Sequence, residues 1–160
     1  MSEFAWILVG VGSAIGISVF VYILQVCVKL FNNKNKIKKT LVQIKGQVDV
    51  KHDLLKEYVE INRDSIVEEK RVSINEKLNA YNSQDDKDIE ILKEFNEVYV
   101  DYMRSFDDSL LNKQCDESEE KINYIKEYYN ELVSFHNQYR ATGINVVFAK
   151  AFSISDEKIY

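Results

Sequence analysis

From Phe4 to Val28 the chain runs 25 residues without a charge, and only Ser13, Ser18 and Gln25 interrupt it as polar side chains. A helix rising ~1.5 Å per residue crosses ~30 Å of hydrocarbon in about 20 residues, so this stretch is long enough to span a bilayer with some tilt. A cleaved secretory leader opens with basic residues and has a shorter apolar core. Here the start is Met1-Ser2-Glu3, no small-x-small cleavage pattern follows, and Cys27 lacks the small residues that precede a lipidation cysteine. The expectation is a retained single-pass transmembrane helix in contact with membrane lipid.

The flanks orient it. Only Glu3 precedes the span, whereas Lys29, Lys34, Lys36, Lys38 and Lys39 follow it. The excess of lysine on one side predicts an outside N-terminus and a cytoplasmic C-terminal domain at the cell membrane. Lysines near anionic headgroups each contribute about 1 kcal/mol. Gly12 and Gly16 form a GxxxG pair, which permits close helix–helix approach in lipid and hence a homo-oligomer through the span. The bland alternative is that glycine is common in such helices.

Behind the span the chain has no proline, and only two of its five glycines lie there. Proline breaks helix interiors and glycine weakens them, so the remainder leans all-helical. From Lys29 to Lys51 there are seven lysines and one acid, Asp49; beyond that point acids outnumber bases by ten. An acidic domain repels phosphates, which sets nucleic acid aside as a partner. Cys27 and Cys115 fall in different regions and imply no disulfide framework.

Helical stripes follow. Ile37, Leu41, Ile44 and Val48 alternate four and three apart, Lys51 interrupts, and Leu55 and Tyr58 continue. No breaker separates Val28 from Ile37, so the first helix is expected to run on from the membrane. Asp64 or Ser65 is a candidate cap for a second helix bearing Val67, Ile74, Leu78 and Tyr81, closed by a polar turn from Asn82 to Asp86. A third helix from about Asp88 presents Leu92, Phe95, Tyr99, Tyr102 and Phe106. Ser105 to Asp108 offers caps for a fourth, in which Leu111, Cys115, Ser118, Ile122, Ile125, Tyr129, Leu132, His136 and Tyr139 keep strict four–three spacing. Such stripes must be buried against one another. The expected fold is therefore all-α: an N-terminal anchor (1–30), an antiparallel four-helix bundle (31–143) and a short C-terminal tail (144–160) that docks on the bundle. A long free coiled coil is the alternative.

Two segments resemble the LemA family. In the run Gln43 to Glu60, Lys51, Asp53, Leu54, Leu55 and Val59 match the family's basic residue followed by x-Asp-Leu-Ile-Pro-x-Leu-Val, with Lys56 in place of proline. The run Glu117 to Asn137 is similar to the family's TExxIxxxRxxYNxxVxxYN, with Ser118 for Thr, Lys126 for Arg and His136 for Tyr. The tail from Ile144 to Tyr160 resembles the family's closing NIIAxxFxFxxxxYF. The resemblance implies a membrane-anchored helical bundle without an established activity and a part in membrane organisation.

No catalytic constellation emerges. A di-iron bundle enzyme needs two Glu-x-x-His pairs plus two further glutamates. The chain has two histidines; Asp49-Val50-Lys51-His52 is a degenerate pair, and Val133 stands three before His136. No cofactor or metal is expected, and His136 reads as a core or rim histidine. Cys115, on an apolar stripe, reads as a buried inert thiol. The remaining candidates are an aromatic and amide face of Tyr128, Asn130, Phe135, Asn137 and Tyr139, which either meets a protein partner or holds the tail, and the motif carboxylate Asp53, expected to pair with a base or cap backbone. The favoured reading is a non-enzymatic membrane-anchored scaffold or interaction module. A metal-dependent bundle enzyme and a signal-relaying helix are the alternatives.

Overall fold

The computed structural model describes residues 3–83, 88–106 and 108–160, without the side chains of residues 3–5 and 8. Among the described residues there are five helices and no strand: α1 (Glu3–Ile61), α2 (Glu68–Asn82), α3 (Ile89–Arg104), α4 (Ser109–Ala141) and α5 (Asn145–Ala151). The uncharged N-terminal stretch and the residues that follow it form one unbroken helix, α1, as a segment without proline allows. The chain divides into two compact units, residues 1–36 with 134–157 and residues 37–133 with 158–160.

The larger unit has one apolar core. Residues 37–59 of α1 supply Ile37, Ile44, Val48, Leu55 and Val59; α2 supplies Ile74, Leu78 and Tyr81. The α3 segment gives Leu92, Phe95, Tyr99 and Met103, and α4 gives Leu111, Cys115, Ile122, Tyr129 and Val133. Each set recurs at three-, four- or seven-residue steps, so each helix turns one stripe inward. Lys51 belongs to this stripe rather than interrupting it, since it is 1 % exposed.

Helix starts differ in how they are held. Asp88 caps α3 by accepting from the amides of Glu90 (3.0 Å) and Ile91 (3.2 Å), and Asp108 does the same for Leu110 (2.9 Å) and Leu111 (3.1 Å). Neither Asp64 nor Ser65 caps α2. That helix starts later, after Val67, whose apolar side chain cannot accept a hydrogen bond and is 72 % exposed rather than in the core. Glu68 and Glu69 in its first turn instead oppose the positive end of the helix dipole. Asp107 and most of the turn expected at Asn82 to Asp86 lie outside the described residues.

The smaller unit closes around Val26 and Leu30 of α1, which bury against Ala149 of α5 and Ile154, with Tyr139 and Phe148 alongside. Gly143, at φ 53°, takes the left-handed conformation that turns the chain out of α4. A second left-handed residue, Ser153 (φ 52°), ends α5. The Ser153 amide donates to the Lys150 carbonyl and the Ile154 amide to the Ala149 carbonyl (2.8 Å), while Ile154 and Ala149 share the apolar cluster. That is a Schellman close with its hydrophobic contact. The sequence pattern alone does not reveal α5, because the segment is short and rich in β-branched residues.

Candidate functional site

Polar chemistry inside the larger unit centres on Lys51. Its ammonium donates to Asn96 Oδ1 (2.6 Å) and to the Glu119 carboxylate, lies 5.2 Å from the Tyr99 ring centroid, and Asn96 Nδ2 donates onward to Glu119 (3.4 Å). Residues from α1, α3 and α4 thus converge on one charge. Burial pushes the Lys51 amine below its ordinary value, while the hydrogen bond and charge of Glu119 hold it up. A buried charge is tolerable only when paired and hydrogen-bonded, as this one is. Burial also raises the Tyr99 phenol to about 12, helped by Cys115 and Glu119, with Ser118 acting the other way. The Cys115 thiol is fully buried and raised, chiefly by desolvation, so it is a poor nucleophile and a poor target for labelling reagents.

Glu119 links this interior to the surface, with 21 % of its side chain exposed. It lines an open groove of about 480 Å³ with Asp116, Glu120, Asn123, Tyr124 and Glu127. A neighbouring groove of about 560 Å³ shares Glu120 and Tyr124 and adds Gln47, Glu117, Lys121 and Ile125. Tyr124 stands between them, 77 % exposed. Tyr124 stands out in the sequence as an aromatic beyond what one stripe requires; the acids around it are not legible from the stripes, because they occupy positions that periodicity assigns to solvent.

His52 is buried against the rings of Tyr81 (5.5 Å) and Phe95 (5.7 Å), and its Nδ1 meets Asp53 Oδ1 at 3.0 Å. Asp53 itself is 80 % exposed. Asp49, the other half of the degenerate pair, accepts from the Tyr81 hydroxyl (2.8 Å), which raises that phenol after burial does. Among the described residues no three His, Cys, Asp or Glu side chains gather as a metal site requires.

The aromatic and amide face of α4 falls in both units. In the larger, Tyr128 is exposed, and Asn130 Oδ1 accepts from the Tyr160 amide (2.8 Å). Tyr160 is buried there, with Lys126 and Lys93 at 4.8 and 5.7 Å from its ring and its hydroxyl directed to the Leu92 carbonyl (3.4 Å). Tyr129 donates to the Lys158 carbonyl (3.0 Å). In the smaller unit, Asn137 bonds both backbone groups of Glu157, at 2.9 and 3.0 Å. Phe135 and Tyr139 stack at 6.1 Å beneath the Lys29 ammonium. The two asparagines therefore hold the tail backbone, whereas Tyr128 and Phe135 remain open to solvent.

His136 is fully buried in the smaller unit. Desolvation lowers its pKa; the Ser155 backbone and Glu157 raise it, and Arg140 and Lys34 lower it. Apart from the adjoining backbone of their own helix, Gly12 and Gly16 have no atom within 4 Å of where a side chain would begin, so no other part of the described chain crowds them.

These features define an all-helical protein with a polar knot in its core and, among the described residues, one helix long and apolar enough to cross a membrane. A family model described as LemA family matches residues 23–160, and the chain belongs to that family. No curated protein and no solved structure matches.

Proposed function

We propose that the protein is a single-pass membrane protein whose α1 anchors an antiparallel four-helix bundle on the cytoplasmic side, and that the bundle is a non-enzymatic scaffold. One observation carries the anchor. Over residues 9–22 the apolar side chains of α1 find almost no cover: Ile15, Ile17 and Phe20 are each at least 60 % exposed. Apolar surface on that scale has to be removed from water, and a bilayer does so without any partner. Lysines 29 to 39 fit the cytoplasmic flank. The scaffold reading is supported by the burial of the groups that would otherwise be reactive, Lys51, Cys115 and His136. It leaves Tyr124 and the grooves beside it as the surface for a protein partner, and Gly12 and Gly16 as a contact between copies in lipid.

The test uses the full chain in its native membranes. Alkaline carbonate should leave it in the pellet. With Cys27 and Cys115 replaced by alanine, a membrane-impermeant maleimide should label Ala80→Cys only after lysis. Release by carbonate refutes the anchor, and labelling of intact cells refutes the orientation. Stoichiometric iron or manganese bound through His52 or His136 in the purified protein would replace the scaffold by a metal enzyme.

A further inference from the structure

The tail segment around α5 presents two opposite faces. Asn145 and Ala149, four residues apart, are buried, and Ala149 packs against Val26 and Leu30 at the end of the uncharged stretch of α1. On the far side Ile144 and Val147 are 51 % and 61 % exposed. Phe152, at the C-terminus of α5 and also half exposed, meets Phe31 edge-on at 6.3 Å. Phe31 lies one turn beyond exposed Val28, so both share a side of α1. The apolar surface of the membrane stretch therefore continues through Val28 and Phe31 to Phe152.

We propose that this surface is an interfacial seat for the bilayer itself: Ile144, Val147 and Phe152, with Phe31, rest at the boundary between headgroups and acyl chains. The inference rests on α1 crossing that bilayer. Charge agrees with the choice of occupant. Residues 1–36 and 134–157 hold five bases against three acids. Two of those acids are engaged internally, Asp156 by Arg140 (Nε at 2.8 Å) and Glu157 by Lys34 (3.9 Å). Lys150 is exposed on α5, and Lys29 sits over Tyr139 at 4.4 Å, an aromatic and basic pairing common at membrane interfaces. Docking of the tail on the protein and contact with the membrane are then not alternatives, because α5 uses a different face for each.

Fluorescence quenching of the full chain tests this. Trp6→Phe removes the native tryptophan, and single tryptophans are placed at Val147, at Val19 within the span and at Ala80 in the larger unit. Each variant is reconstituted into vesicles of equal phosphatidylcholine and phosphatidylglycerol, with lipids brominated near the headgroup or deep in the acyl chain. Shallow bromines should quench Val147→Trp, deep bromines should quench Val19→Trp, and neither should quench Ala80→Trp. Phe152→Trp, which keeps an aromatic ring in place, should repeat the result at 147. If 19 is quenched while 147 and 152 stay as bright as 80, the seat is refuted, the anchor stands and the face awaits a protein. If 19 is not quenched, the anchor fails and the seat with it.

Discussion

Enclosing the Lys51 ammonium between Asn96, Glu119 and Tyr99 makes the stability of the larger unit depend on an exact pairing of polar groups. Lys51→Met removes the cation but leaves Glu119 charged at the edge of the core. Breaking a buried pair from one side costs about 3–5 kcal/mol, and because Glu119 is partly hydrated the loss should sit near the lower end, about 3 kcal/mol. Adding Glu119→Leu removes the stranded charge and should restore most of that loss, so the two substitutions are far from additive. Denaturant titration of the four-member cycle measures this. Additive losses would show that the pair is not coupled. Lys51 is also where sequence reading fell short. A lysine on an apolar stripe looks like an interruption, because its partners Asn96 and Glu119 are 45 and 68 residues away and only the tertiary fold brings them together. Asn130 and Asn137 are easier, since two amides seven residues apart share a helix face and can reach the backbone of the tail downstream.

Among the elements, legibility follows the strength of the local signal. The α4 stripe and the Asp88 and Asp108 starts were visible because spacing and cap chemistry agree. The start of α2 was not, because Asp64 and Ser65 are good caps in isolation and yet lie in the turn that leads out of α1. There the Ile66 amide bonds the Asn62 carbonyl at 3.1 Å and commits them elsewhere. The close of α5 carries a penalty of its own. Ser153 holds a left-handed conformation that costs an L-residue roughly 1–2 kcal/mol, a cost glycine avoids. Ser153→Gly is expected to raise stability by a fraction of that, about 0.5–1 kcal/mol, after the extra freedom glycine gives the unfolded chain. The measurement is the thermal unfolding midpoint in detergent; an unchanged or lower midpoint would mean that the backbone at 153 is not strained.

For the molecule as a whole, the proposed anchor makes one element serve two solvents. Residues 9–22 of α1 expose apolar side chains all round, as the proposed lipid surroundings would permit, and from Ile37 the same helix buries a single stripe and turns polar groups outward, as water requires. The absence of proline and the unbroken α1 make that change of solvent possible within one helix. Spin labels read it directly. In the full chain reconstituted in lipid, with Cys27 and Cys115 replaced by alanine, nitroxides are placed at Val19→Cys and Val42→Cys, positions 52 % and 61 % exposed. Oxygen should relax the label at 19 and a water-soluble nickel chelate the label at 42. A label at 19 relaxed by the nickel chelate as readily as the one at 42 would contradict the account.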